Sequence, residues 1–101
     1  SQGIETAKNN YSERKADVNI LEHLINEKGY DVLSQKDYDK AIELFTMNTI
    51  AFPKSANAFD SLGEGYMNKR DKPLAIKKYE KSLELDSGNG NAKAMLEELR
   101  K

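Results

Sequence analysis

A period of 34 residues constrains this chain more than any other feature. Gly29, Ala41, Phe45 and Pro53 recur 34 positions on as Gly63, Ala75, Tyr79 and Ser87. The same step backwards from Ala41 and Phe45 lands on Ala7 and Tyr11. A period of this length signals a stack of similar helical units, because each unit buries its apolar face only against its neighbour. Such stacks usually present a surface to a partner. The chain therefore reads as all-α and as a non-enzyme.

Apolar spacing and breakers divide the chain into six helical segments. The first runs from about Gln2 to Lys15, with Ile4, Ala7 and Tyr11 on one stripe. After Asp17-Val18-Asn19, the pair Asn19 and Glu22 is spaced as a capping box, and a second helix carries Leu21, Leu24, Ile25, Val32 and Leu33. Asp37 caps a third helix with Ala41, Ile42, Leu44, Phe45 and Ile50, which Pro53 ends. Ser55 caps a fourth with Ala58, Phe59, Leu62, Tyr66 and Met67. Asp71 repeats the role of Asp37, and Pro73 sits in the first turn of a fifth helix, where its missing donor costs little. Asp86-Ser87-Gly88-Asn89-Gly90 breaks the chain before a sixth helix, Asn91 to Lys101.

The recurring residues have packing roles. Gly29 and Gly63 let one helix press on its partner, and Ala41 and Ala75 do the same on the second helix. Phe45 and Tyr79 fill the space between successive pairs.

These residues resemble the tetratricopeptide repeat. Residues 56–89 carry the pattern as Phe59-x-x-Leu62-Gly63-x-x-Tyr66, then Ala75, Tyr79 and Leu85-Asp86. Residues 22–55 resemble a second copy through Ile25, Gly29, Val32, Ala41, Phe45 and Pro53, departing from it at Lys28. Residues 2–18 resemble the second helix of a truncated repeat, and 90–101 the capping helix. The resemblance implies a right-handed superhelix of antiparallel helix pairs, about six helices in one domain. A narrower likeness runs through Gly3-Ile4-Glu5, Leu21-x-x-Leu24-x-Asn26 and Ser55-Ala56-Asn57-Ala58-Phe59-Asp60-Ser61-Leu62-Gly63-Glu64. It is similar to the C-terminal extension of bacterial serine beta-lactamase-like and esterase-like hydrolases. That likeness implies a non-catalytic accessory piece of a larger enzyme, and Ser1-Gln2-Gly3 reads as the start of a fragment without a signal peptide.

The residues themselves exclude several chemistries. A net charge of -1 argues against a nucleic-acid partner, which needs a basic face, and no apolar run is long enough for a bilayer. The absence of cysteine removes thiolate metal sites and cysteine nucleophiles. His23 has no second histidine with which to share a metal. Ser12-Glu13-Arg14-Lys15 spells S-x-x-K without the companion motifs of a lactamase. Gly88-Asn89-Gly90 lacks the strand and lysine of a phosphate loop. No cofactor is expected, and the compartment stays open between cytoplasm and export with a parent enzyme.

In the tetratricopeptide family the first helix of each pair lines the concave face. The resemblance therefore implies a protein-binding groove of His23, Asn26, Tyr30 and Leu33, then Asn57, Asp60, Glu64 and Met67, with Asn91 and Glu98 from the last helix. Tyr30, Leu33 and Met67 are expected to offer it apolar surface. The positions of a family clamp for acidic tails hold Asn26, Tyr30, Ser61, Asn91 and Met95, with no basic cluster, and Asp60 and Glu64 would repel such a tail. The expected partner is a protein or peptide: the parent's own catalytic domain, a second copy, or a neutral or basic segment with an apolar anchor.

Overall fold

A computed structural model of the chain describes residues 20–101. Among them are five α-helices and no strand: α1 over residues 20–34, α2 Tyr38–Ala51, α3 Ala56–Asn68, α4 Lys72–Leu85 and α5 Gly90–Leu99. Six helices were expected; the first, with Ala7 and Tyr11, lies outside the described residues. So does Asn19 of the expected capping box, whose Glu22 carboxylate accepts instead from the Ser55 hydroxyl.

The starts of the helices follow local chemistry. Asp37, Ser55, Asp71 and Asn89 each accept from the backbone N–H three residues on, at 3.1–3.3 Å, and so satisfy a donor that a helix start leaves free. Pro73 lies in the first turn of α4. The ends of α1 and α3 are built alike. Lys36 N–H donates to Leu33 C=O at 2.9 Å and Asp37 N–H to Val32 C=O at 3.0 Å; Arg70 and Asp71 repeat this on Met67 and Tyr66. This is the Schellman motif, which requires a left-handed residue. Here Lys36 at φ 66 and Arg70 at φ 69 occupy the place that glycine fills at least cost.

Packing follows the 34-residue register. A Cβ on Gly29 would lie 2.7 Å from Phe45 Cδ1, and one on Gly63 would lie 3.0 Å from the Tyr79 ring. Each glycine therefore admits the ring of the partner helix. Gly65 does the same between pairs, with Ile42 and Phe45 at 3.2 Å from a Cβ built there. Val32, Ala41, Phe45 and Leu62 form one buried cluster; Ala75, Tyr79, Ala92 and Leu96 form a second. Tyr66 packs against both and joins them. The departure at Lys28 keeps its charge in water: its Nζ lies 3.5 Å from Asp31 on the surface of α1.

Buried polar groups repeat too. Asn48 Nδ2 donates to Glu22 C=O at 3.1 Å, and 34 residues later Ser82 Oγ donates to Ala56 C=O at 2.7 Å. Each bond ties the second helix of a pair to the start of the first, where a helical carbonyl is open to a side-chain donor.

Candidate functional site

α1, α3, the α4–α5 connection and the start of α5 border an open cavity of about 400 Å³, lined by Tyr30, Ala56, Asn57, Asp60, Glu64, Asp86, Asn89 and Asn91. Helical spacing explains the α3 contribution. Ala56, Asn57, Asp60 and Glu64 are separated by three or four residues and share a face. The opposite face carries Ala58, Leu62 and Gly65 into the core. Tyr30 reaches the cavity from α1, its ring edge-on to Phe45 at a centroid distance of 5.0 Å.

Tyr30 hydroxyl donates to Glu64 Oε2 at 2.6 Å and lies 3.2 Å from Ser61 Oγ. Burial, and then the bond to Glu64, pushes its ionisation well above the usual phenol range. It is therefore a neutral donor at physiological pH. Asp60 is held from the other side. Asn89 Nδ2 donates to its Oδ2 at 2.8 Å, and Asn91 Nδ2 to its Oδ1 at 2.8 Å. Asn89 Nδ2 also donates to Ser82 Oγ at 2.8 Å while Asn89 Oδ1 caps α5. One amide thus couples α3, α4 and α5 and fixes the Asp60 carboxylate.

The lining holds three carboxylates and no cation. Amide and hydroxyl donors orient Asp60 and Glu64 without cancelling their charge, so the cavity favours a positive group.

Of the ten residues the sequence pointed to, Tyr30, Asn57, Asp60, Glu64 and Asn91 come together here. Asn57 is exposed, whereas Asn91 spends its donor on Asp60. Asn26 lies on α1 with its Oδ1 buried and without a partner among the described residues. His23 and Glu98 are elsewhere on the surface: His23 Nε2 is 3.1 Å from Glu27, and Glu98 pairs with Lys101 at 3.3 Å. The expectation that Leu33 and Met67 offer apolar surface to the groove is corrected. Both occupy the last turn of their helices and pack sideways onto the two core clusters. Met67 instead lines a separate hollow with Arg70, Lys72 and Leu99. The apolar wall of the cavity comes from the Tyr30 ring and the Ala56 methyl.

Sequence reasoning missed Asn89, Asp86 and Ala56. In the sequence Asn89 stands out only within a breaker and within the Gly88-Asn89-Gly90 spelling that fails as a phosphate loop. Its place just before an apolar-periodic helix was a usable signal, because asparagine there caps the helix. Among the described residues no group of three or more His, Asp or Glu is arranged to hold a metal ion. None of their helices is long and apolar enough to cross a membrane.

No family model and no curated protein matches the chain. Among solved structures it is similar to the first TPR of Spaghetti (RPAP3) bound to the HSP90 peptide SRMEEVD. The identity is 20% over 78% of this chain and 90% of that one, with a TM-score of 0.44.

Proposed function

We propose that this chain is a tetratricopeptide-type protein-interaction module whose groove takes a positively charged peptide segment. Residues 22–55 and 56–89 are its two units and 90–101 its cap. The observation that carries this reading is the cavity with Asp60, Glu64 and Asp86 in its wall and no lysine, arginine or histidine. A lysine or arginine side chain of the partner enters beside the two oriented carboxylates, and its stem lies along the Tyr30 ring. The exposed Asn57 amide donates to and accepts from the segment's backbone. An acidic tail is disfavoured by the same charges.

Because the site is open to water, each ion pair contributes on the order of 1 kcal/mol or less and is screened by salt. Affinity is therefore modest, and specificity comes from charge and shape together. The segment belongs to another protein or, if the chain is part of a hydrolase of the kind its sequence resembles, to the catalytic domain of the same parent.

The test is a calorimetric titration with peptides of equal length, one lysine- and arginine-rich, one neutral and one acidic. The basic peptide binds the native chain and loses affinity to an Asp60→Lys, Glu64→Lys variant and to raised salt. Equal binding of all three peptides, or unchanged binding by the variant, overturns the reading.

A further inference from the structure

The outer side of α2 is apolar where the outer side of α4 is charged. Ala41, Phe45, Asn48 and Thr49 are buried on one side of α2. Glu43, Met47 and Ile50 follow at steps of four and three residues on the opposite side, and all three are exposed. Met47 is 52% and Ile50 75% exposed. The residues 34 positions later are Lys77, Lys81 and Glu84. There Lys81 Nζ lies 3.5 Å from Glu84 Oε1, an ion pair held in water. One unit thus meets solvent with a charged pair and the other with two neighbouring apolar side chains. Past Ile50 the apolar surface continues into an open hollow that Ala51, Phe52 and Pro53 help to line. Adjacent exposed apolar groups of this kind mark a contact, whereas single ones do not.

We propose that two copies of this chain associate through this face, their α2 helices antiparallel about a two-fold axis that passes between Asn48 and Thr49. A two-fold interface must be complementary to itself, because each patch meets its own copy. Setting Met47 opposite the partner's Ile50 fixes that axis. The same axis sets Glu43 opposite the partner's Lys54. Glu43 and Lys54 are both exposed, opposite in charge and, among the described residues, in no ion pair. The symmetry forms each contact twice, giving an apolar centre of two Met47 and two Ile50 side chains with an ion pair at either end. An axis running along the helices would instead set Glu43 against its own copy and be repelled. Charge therefore selects the antiparallel pairing.

The size of the patch sets the strength. A few helical turns on each side bury less than the roughly 1,200 Å² at which stable complexes begin, so the dimer is weak and reversible. The exposed end pairs contribute little energy and serve to fix the alignment. No residue of α2 lines the cavity at Asp60 and Glu64, so both copies keep it open.

The experiment is sedimentation equilibrium of the full chain over a range of protein concentrations. The native chain is expected to dimerise with a dissociation constant on the order of 100 μM. A Met47→Lys, Ile50→Glu variant gives the first unit the residues that the second unit carries at these places. It is expected to keep its thermal midpoint and to dimerise at least roughly tenfold more weakly. Glu43→Lys weakens the dimer by roughly threefold, and Glu43→Lys with Lys54→Glu restores it. As a second measurement, Ile50→Cys in a chain without other cysteines forms a disulfide-linked dimer on mild oxidation, and Glu84→Cys does not. A chain that stays monomeric throughout overturns the proposal. So does a dimer unaffected by Met47→Lys, Ile50→Glu, a charge swap no better than Glu43→Lys alone, or equal cross-linking at both cysteine positions. The groove plays no part in these readouts, so failure here leaves the peptide-binding test untouched.

Discussion

Tyr30 and Glu64 occupy the same position in successive units, 34 residues apart, and are joined by a 2.6 Å hydrogen bond across the groove wall. The period that stacks the helices also sets these two side chains side by side. A donor in one unit and a carboxylate in the next turn a structural repeat into an oriented, charged surface.

Tyr30→Phe removes that donor and keeps the ring on Phe45. The expected loss is about 1.5 kcal/mol, the low end for a hydrogen bond to a charged partner because the site is only half-buried. Urea unfolding of both proteins measures it. A basic peptide is expected to bind the variant at least as well, because Glu64 is then free to turn to the ligand.

High pH is expected to weaken the fold through the same phenol. Burial raises the ionisation of Tyr30 and Tyr79 above the ordinary 10.0, with Glu64 adding at Tyr30 and Asp60 and Glu64 at Tyr79. The folded state then holds protons that the unfolded chain has lost, so ν_U is below ν_N and stability falls as pH rises. The contribution is complete below pH 10.0 and declines above it, as pH rises toward and through the raised folded-state values. Urea midpoints taken across this range check the sign, and Tyr30→Phe flattens the decline.

Gly29→Ala is predicted to cost more than Gly63→Ala. The new methyl lies 2.7 Å from Phe45 Cδ1 in the first case and 3.0 Å from the Tyr79 ring in the second. Overpacking of this kind costs about 1–3 kcal/mol, less where the ring has room to shift. Thermal melts of the two variants rank them. Equal losses would show that the Phe45 ring yields as readily as that of Tyr79.

Ser55→Asn is expected to stabilise the chain by about 1 kcal/mol. Asn89 donates to both Asp60 and Ser82. The counterparts 34 residues earlier are Ser55, Asn26 and Asn48, and the Oδ1 atoms of Asn26 and Asn48 are buried without a partner among the described residues. Serine spends its one hydrogen on Glu22. Asparagine caps helices as well as serine does and brings an amide that reaches both acceptors. A lower urea midpoint for the variant would show that the Glu22 contact outweighs them.

Arg70→Gly and Lys36→Gly should each gain about 1 kcal/mol. Both residues hold a left-handed conformation that glycine adopts without strain. Denaturant midpoints test each separately. The gain should be absent at Lys69→Gly, whose backbone is right-handed at φ -77 and where glycine only adds entropy to the unfolded chain.

The five described helices and their order were legible in the sequence because they rest on local chemistry. Asp37, Ser55 and Asp71 cap through atoms three residues away, Pro53 ends a helix through its own ring, and the register of Gly29 with Phe45 repeats at Gly63 with Tyr79. That Asn57, Asp60 and Glu64 share one face of α3 also follows from their spacing, whereas their joint place in the cavity wall was expected only through the repeat resemblance. Tertiary structure decided the rest. Leu33 and Met67 sit at the same helical position as each other, but their direction depends on which cluster lies beside the last turn, and each turns inward. The grip of Asn89 on Asp60 joins residues 29 apart in sequence, in helices whose relative angle is set by the burial of Tyr79, Ala92 and Leu96. Side-chain periodicity states which face a residue is on; only the packed core states what that face meets.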